Sequence, residues 1–175
     1  MDGHIHTAAA PPGALPLRPP ANQVDPRAVR WWQVRDLITT VVLVVPQVVA
    51  MIVLGGRAPG VLPYAVGATV LLGGLYAALV PPLLFRIVRW EITDEAVYSL
   101  SGWLVREWRI VPISRVQTVD TERGPLQQLF GLASVTVTTA SARGPVKIHG
   151  LDADDAAELA RVLTETAQAT PGDAT

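Results

Sequence analysis

Two long stretches without a charged residue constrain this chain more than any other feature of its sequence. No Asp, Glu, Lys or Arg lies between Asp36 and Arg57, and none lies between Arg57 and Arg86. Each stretch is long enough for a helix to cross a bilayer, which takes about 20 mostly apolar residues. The Gly-rich turn between the two stretches is too short to hold a domain. The sequence therefore predicts a transmembrane hairpin with helices over 37–54 and 61–85.

Two features indicate that the helices of the hairpin pack against each other. Gln47, near the middle of the first span, is predicted to face the second helix, and a role in a transport path is the alternative. The second span carries a small residue at every fourth position: Ala65, Thr69, Gly73 and Ala77. Such a face lets two helices approach closely in lipid. Pro81 and Pro82 are predicted to kink or end the second helix near its exit.

The distribution of basic residues predicts the orientation of the hairpin. The turn holds only Arg57, whereas five arginines flank the outer ends of the two spans: Arg27, Arg30, Arg35, Arg86 and Arg89. Cytoplasmic segments next to spans carry the excess of Lys and Arg. We therefore expect an inner-membrane protein with both termini and everything after the hairpin in the cytoplasm.

The segment 26–36 mixes arginines with a pair of tryptophans and is predicted to be an interfacial flank. Indole rings favour the headgroup level, where guanidinium groups meet anionic lipid. The predicted membrane-interface anchors are Trp31, Trp32 and Trp90.

The two ends of the chain are predicted to be irregular. Residues 1–25 are rich in Pro and Ala, which suits an extended, disordered tail. His4 and His6 lie in this tail, and two histidines are too few ligands for a metal site. Residues 169–175 are predicted to be frayed.

From Arg86 onward the pattern indicates a mainly-β domain over 86–168. Runs rich in Val, Ile, Thr, Tyr and Trp alternate with turn residues. The predicted strands are 87–93, 96–101, 104–111, 115–121, 134–139 and 146–149. In the third of these, Leu104, Trp108 and Ile110 share one face with Arg106.

Two helical pieces complete the predicted domain. Segment 124–132 interrupts the strands, and its apolar side chains are predicted to pack on the sheet: Leu126, Leu129 and Phe130. Segment 151–168 is the clear amphipathic helix, with Asp152 as its cap. Its apolar stripe is predicted to cover one end or face of the sheet and consists of Ala156, Leu159, Ala160, Leu163 and Ala167.

Several strands followed by one terminal helix is the element order of a pleckstrin-homology (PH) fold. The segments Pro-Ile-Ser-Arg-Val-Gln at 112–117 and Gly-Pro-Leu-Gln-Gln-Leu-Phe-Gly-Leu at 124–132 add specific motifs. Over roughly 86–166 the chain resembles the bacterial PH-domain family of membrane proteins, the YdbS-like group. The resemblance implies a split barrel capped by a C-terminal helix, held at the cytoplasmic face of the membrane, in a non-enzymatic binding or assembly module.

The chain departs from phosphoinositide-binding PH domains at the first hairpin turn. Those domains carry Lys and Arg there, whereas this chain has Asp94 and Glu95, which would repel phosphate. Specific recognition of inositol phosphates is therefore not expected.

The residue inventory favours a binding protein over an enzyme. The chain has no cysteine, and His149 is the only histidine of the predicted domain, with no spaced nucleophile or carboxylate partner. We expect no catalytic residues, no cofactor and no metal. The net charge of −1 gives no indication of nucleic-acid binding.

The expected function is the presentation of a PH-like domain to a protein partner, or to a second copy of the chain, at the membrane. The alternatives are an accessory subunit of a transport or export complex and the binding of anionic lipid. Membrane lipids are expected partners, and the possible headgroup contacts are Arg30, Arg35, Arg86, Arg89, Arg106 and Arg109.

Overall fold

The computed structural model describes residues 20–93, 95–139 and 144–169. His4, His6, Asp94 and the end from residue 170 onward lie outside the described residues, as does most of the predicted N-terminal tail. The elements in chain order are β1 Asn22–Gln23, α1 Arg27–Leu54, α2 Leu62–Ile87, β2 Arg89–Ile92, β3 Ala96–Ser101, β4 Glu107–Pro112, β5 Val116–Glu122, α3 Pro125–Leu129, β6 Leu132–Thr139, β7 Val146–Asp152 and α4 Ala153–Ala169.

The two long helices form the predicted hairpin, joined by a single 3-10 turn at Gly55–Arg57. The helices touch most closely at Gly73, where an added Cβ would lie 2.3 Å from Thr40 Oγ1. Nearer the 3-10 turn, Gln47 Nε2 donates a hydrogen bond of 3.1 Å to Thr69 Oγ1. Gln47 therefore faces the second helix, as predicted, and its amide is partnered inside the hairpin.

The outer surface of the hairpin is apolar and uncovered. Val53 is 78% exposed and Leu71 is 70% exposed, and none of the apolar stretch of α1 is buried by the rest of the protein. A helix in the core of a soluble protein would bury such side chains, whereas lipid solvates them.

Pro81 and Pro82 do not end α2, which continues through both to Ile87. Of the two predicted effects, an end of the helix at these residues does not occur, and a kink stays a prediction. Pro81 is buried in the described structure, so tertiary packing supports the helix where two backbone donors are missing.

Two antiparallel sheets follow the hairpin, in the orders β1-β2-β3-β4 and β5-β6-β7. Their facing sides and α4 enclose one hydrophobic core, which includes Val97 of β3, Val135 and Val137 of β6, and Leu159 and Leu163 of α4. This is the split barrel with a terminal helix that the sequence predicts, and the fold class is confirmed.

A second core joins the hairpin to the sheets. It contains Val24, Ala28, Trp31, Trp32 and Leu132, with the end of α2 and part of α3 packed around them. The predicted flank 26–36 is therefore no separate segment, because it lies almost wholly within the first turns of α1, docked on the domain. The predicted tail 1–25 is also too long, since β1 pairs with β2.

Two local predictions are wrong. The third strand begins at Glu107 and not at Leu104, so Leu104 and Arg106 lie in the turn before it. Leu129 is 79% exposed and does not pack on the sheet, whereas Leu126 and Phe130 pack against the second core.

Candidate functional site

A cleft of about 400 Å³ lies where the hairpin meets the two sheets, and we call it the junction cleft. Its walls come from both parts of the molecule: Trp32 and Arg35 of α1, Leu84 of α2, Arg89 of β2, and Lys147 and His149 of β7. The volume falls in the range of pockets that hold small ligands or lipid headgroups.

The first turn of α1 is held tightly at the base of this cleft. Arg27 makes an ion pair with Asp25 at 2.9 Å and another with Asp152 at the end of β7. Gly150 lets the helix approach the sheet, because a Cβ at this position would lie 2.7 Å from the Cβ of Ala28. The helix that forms one wall is therefore fixed to the strand that forms the other.

Three basic side chains line the cleft, and they differ in how far their charges are balanced. Arg35 is paired with Asp36 at 2.9 Å, and Lys147 lies 3.7 Å from Glu122. Arg89 is half-buried and forms no ion pair with any residue that the structure describes. The cleft therefore has one cation available to an anionic group.

A chain of hydrogen bonds leads from the buried Gln127 and Ser134 to His149 in this lining. Gln127 Nε2 donates to Ser134 Oγ at 2.7 Å, and Ser134 Oγ lies 3.0 Å from His149 Nδ1. Ser134 Oγ therefore bridges Gln127 and the imidazole, and the direction of its hydrogen bond with His149 Nδ1 follows the histidine tautomer. Burial, with Lys147 and then Arg35 nearby, lowers the pKa of His149 below its ordinary value.

This hydrogen-bond chain lacks the parts of a nucleophilic site. Ser134 is buried, and no carboxylate of the described residues makes a hydrogen bond to His149. A serine nucleophile needs an accessible hydroxyl and a base that a third group orients. The three side chains instead fix the register of β6 and β7 at the wall of the cleft.

The structure brings together only part of the predicted headgroup set. Arg35 and Arg89 share the junction cleft, whereas Arg30, Arg86 and Arg106 lie outside it. Arg109 binds Glu107 Oε1 at 2.7 Å and the carbonyl of Pro145 at 3.0 Å, across the gap between the two sheets. The six arginines therefore do not share one cleft, and headgroup contact by each of them stays a prediction.

Lys147 and His149 line the cleft but belong to no site predicted from the sequence. They alternate with the buried Val146 and Ile148 along β7, which indicates that both lie on its outer face. The sequence shows this alternation, but it does not show that the helices of the hairpin form the opposite wall of the cleft.

Two of the three predicted interface tryptophans are covered by protein. Trp31 is 8% exposed and Trp32 is 5% exposed, and both lie in the second core. Trp90 is half-buried and packs against both cores. Trp31 and Trp32 therefore do not occupy the half-exposed position of a membrane-interface anchor. Anchoring by Trp90 stays a prediction.

A second feature is the apolar surface of the β3–β4 hairpin. Among the described residues, β4 is the last strand of its sheet and pairs on one side only, with β3. Trp108 and Ile110 project from its outer face and are partly exposed, and the turn before it carries Trp103, Leu104 and Val105. Exposed apolar groups next to an unpaired strand edge are typical of an interaction surface.

Comparison with known proteins gives the family. The family model described as "Bacterial PH domain" matches residues 37–167, which include most of the hairpin and the domain. The chain belongs to the bacterial PH domain family. It is 30% identical over 156 residues to UPF0699 transmembrane protein YdbS of Bacillus subtilis (strain 168), covering 88% of this chain and 97% of that protein. No solved structure matches the chain significantly.

Membership explains the exposed apolar hairpin. This YdbS-like protein is a membrane protein with transmembrane helices and a bacterial PH domain, and the similarity to YdbS extends over both parts. The junction cleft therefore lies between the transmembrane helices and the PH domain.

Proposed function

We propose that this protein is a non-enzymatic membrane protein that holds its PH domain at the cytoplasmic surface and presents it to a protein partner or to a second copy of itself. The excess of arginine at the domain end of the hairpin supports the cytoplasmic orientation. Ser134 is buried, and no carboxylate in the described part of the chain partners His149, which supports a binding role over a catalytic one.

The observation that carries this proposal is the unpaired outer edge of β4. A partner segment in extended conformation can add to such an edge through its backbone hydrogen bonds, while side-chain pockets give specificity. Trp108 and Ile110 supply apolar surface on one face of the same strand. Of the residues that protect such an edge, β4 has the charged Glu107 and Arg109 and the terminal Pro112, but no Lys.

Cross-linking from β4 tests the proposal, because the chain has no cysteine of its own. Ile110→Cys, labelled with a photoreactive maleimide in native membranes, should form a specific adduct with another protein or with a second copy. Glu158→Cys on the exposed side of α4 is the matched control. If Ile110→Cys gives no adduct beyond those of the control, β4 is not the docking edge.

The second candidate function is binding of one anionic phospholipid headgroup in the junction cleft. It is favoured by Arg89, which is half-buried, forms no ion pair among the described residues and lines the cleft together with Leu84 and Val88 at the end of α2. A guanidinium group binds a phosphate through two parallel hydrogen bonds. The apolar walls formed by Trp32 and Leu84 would contact the first part of the acyl chains.

Native mass spectrometry of the full-length protein tests this candidate. Released from mixed phosphatidylglycerol and phosphatidylcholine nanodiscs, the wild-type protein should retain phosphatidylglycerol preferentially, and Arg89→Gln should reduce that preference. Arg30→Gln is the control, because Arg30 is exposed outside the cleft. Equal reductions in the two variants would show a general charge effect and would contradict a specific site.

A further inference from the structure

The turn between β3 and β4 carries three consecutive apolar residues that the described protein leaves largely exposed. Trp103, Leu104 and Val105 are 47%, 79% and 75% exposed. Arg106 follows them, so the turn combines apolar and cationic side chains, as segments at the lipid headgroup level do.

The strand pairing places this turn beside the hairpin. α2 ends at Ile87 and β2 begins at Arg89, which pairs with Leu100 near the end of the antiparallel β3. The next residues, Ser101 and Gly102, line the junction cleft together with side chains from the ends of both transmembrane helices. The chain therefore returns to the level at which α2 ends before it turns into β4.

The backbone of the turn is tight around Gly102. Gly102 has φ +89°, a conformation that favours glycine, and an added Cβ would lie 2.0 Å from the carbonyl oxygen of Val105. The turn is therefore tight, and its three apolar side chains project from its tip.

The opposite end of the same β-hairpin provides the contrast. β3 has six residues, which separate its ends by about 17–20 Å. The turn at the far end, between β2 and β3, has the polar residues Thr93 and Glu95, both exposed. Apolar residues thus occupy the end near the transmembrane helices, and polar residues occupy the end away from them.

We infer that residues 103–105 are a third membrane-contacting element, inserted into the interface of the leaflet that surrounds the domain end of the hairpin. The occupant of this apolar surface is lipid, because the turn lies at the end of the hairpin where the uncovered apolar surface of α1 and α2 begins. The inference rests on the membrane placement of the hairpin in the proposed function and is independent of what β4 binds.

The absence of native cysteine allows a depth measurement at single positions. Three variants of the full-length chain, each with one cysteine carrying an environment-sensitive nitrobenzoxadiazole dye, are placed in nanodiscs with and without lipids brominated near the headgroup end of the acyl chains. Leu104→Cys reports on the turn, Glu95→Cys on the far turn, and Val42→Cys on an exposed position of α1. We expect bromolipid to quench the dye at positions 42 and 104 and to leave position 95 unchanged.

Each other outcome identifies what is wrong. Quenching at 42 without quenching at 104 overturns the inference alone. A dye at 104 that is blue-shifted but unquenched is covered by protein, and this also overturns the inference. An unquenched dye at 42 overturns the membrane placement of the hairpin, and equal quenching at 95 and 104 shows no preference of this turn for lipid.

Discussion

Truncation of Trp32 to alanine should destabilise the second core (Val24, Ala28, Trp31, Trp32 and Leu132), which we call the joint because it connects the hairpin to the PH domain. The core between the two sheets and α4 should stay filled. A buried tryptophan covers about 150–250 Å² of surface, and at about 25 cal/mol per Å² its burial stabilises by about 4–6 kcal/mol. Measured truncations of large aromatic residues cost about 3–5 kcal/mol. Trp32 is 5% exposed in the second core, so we take about 4 kcal/mol, which corresponds to about 10³-fold easier opening of the joint.

Hydrogen–deuterium exchange of the protein in nanodiscs measures this effect segment by segment. In Trp32→Ala, the amides of 27–36 should exchange up to about 10³-fold faster, more than the change in α4. Leu163→Ala is the matched control, because it creates a cavity of similar cost, about 2–5 kcal/mol, in the other core. Unchanged exchange of 27–36 in Trp32→Ala, or the same exchange pattern in both variants, would refute a separate joint.

Three further predictions concern the hairpin and the cleft. Gly73→Leu should lower the melting temperature in detergent because its side chain would collide with α1, whereas Gly74→Leu, which has open space around its Cβ position, should not; equal melting of the two would contradict the helix contact. Gln47→Leu should leave membrane insertion intact and lower the free energy of unfolding by only about 0.6 kcal/mol, the average contribution of a hydrogen bond between transmembrane helices. A loss of function in this otherwise stable variant would favour the transport alternative. The pKa of His149 is lowered from 6.5, so below pH 6.5 the unfolded chain binds more protons than the folded protein. The stability that the neutral ring contributes is therefore present above pH 6.5 and is lost as the pH falls towards the folded pKa. The melting temperature should fall less over this window in His149→Gln, and an unchanged slope would contradict the shift.

The parts of the fold that the sequence predicted correctly depend on local patterns. Two charge-free stretches predict two spans, and a small residue every fourth position predicts the close approach at Gly73. The alternation along β6 and β7 and the stripe on α4 predict strands and a covering helix. These patterns are contained within each segment, so no knowledge of distant partners was needed.

The joint could not be predicted because its partners are remote in sequence. Trp31 and Trp32 beside arginines fit both a lipid interface and a protein core, and the distinction depends on Leu132 and Gly150, about a hundred residues later. The junction cleft likewise depends on the register that pairs Ser134 with His149, which follows an irregularity next to Ala133. Neither pairing is visible in one segment alone.

The wrong start of β4 has a different cause. Leu104, Trp108 and Ile110 keep a period of two through the turn, so the pattern gives no sign of where the strand begins. The residue that marks the end of β3 is Gly102, because a tight turn with positive φ separates the two strands there. Apolar residues within such a turn contradict the usual polarity of turns, and the proposed lipid contact of residues 103–105 accounts for that contradiction.

The PH domain is held in one position along the axis of the hairpin by its chain connections to α1 and α2 and by the joint. α1 enters the domain through its own first turns, bound by Arg27, and α2 passes into β2 with only Val88 between them. A domain on a flexible linker would present its surfaces in every orientation, whereas this one keeps the turn 103–105 beside the ends of the helices and β4 at a constant distance from them. Loosening the joint with Trp32→Ala should therefore weaken lipid quenching at position 104 and cross-linking at position 110, although neither surface contacts residue 32 in the proposed arrangement. If both signals persist while the exchange of 27–36 rises, the orientation is set by the β2 connection alone.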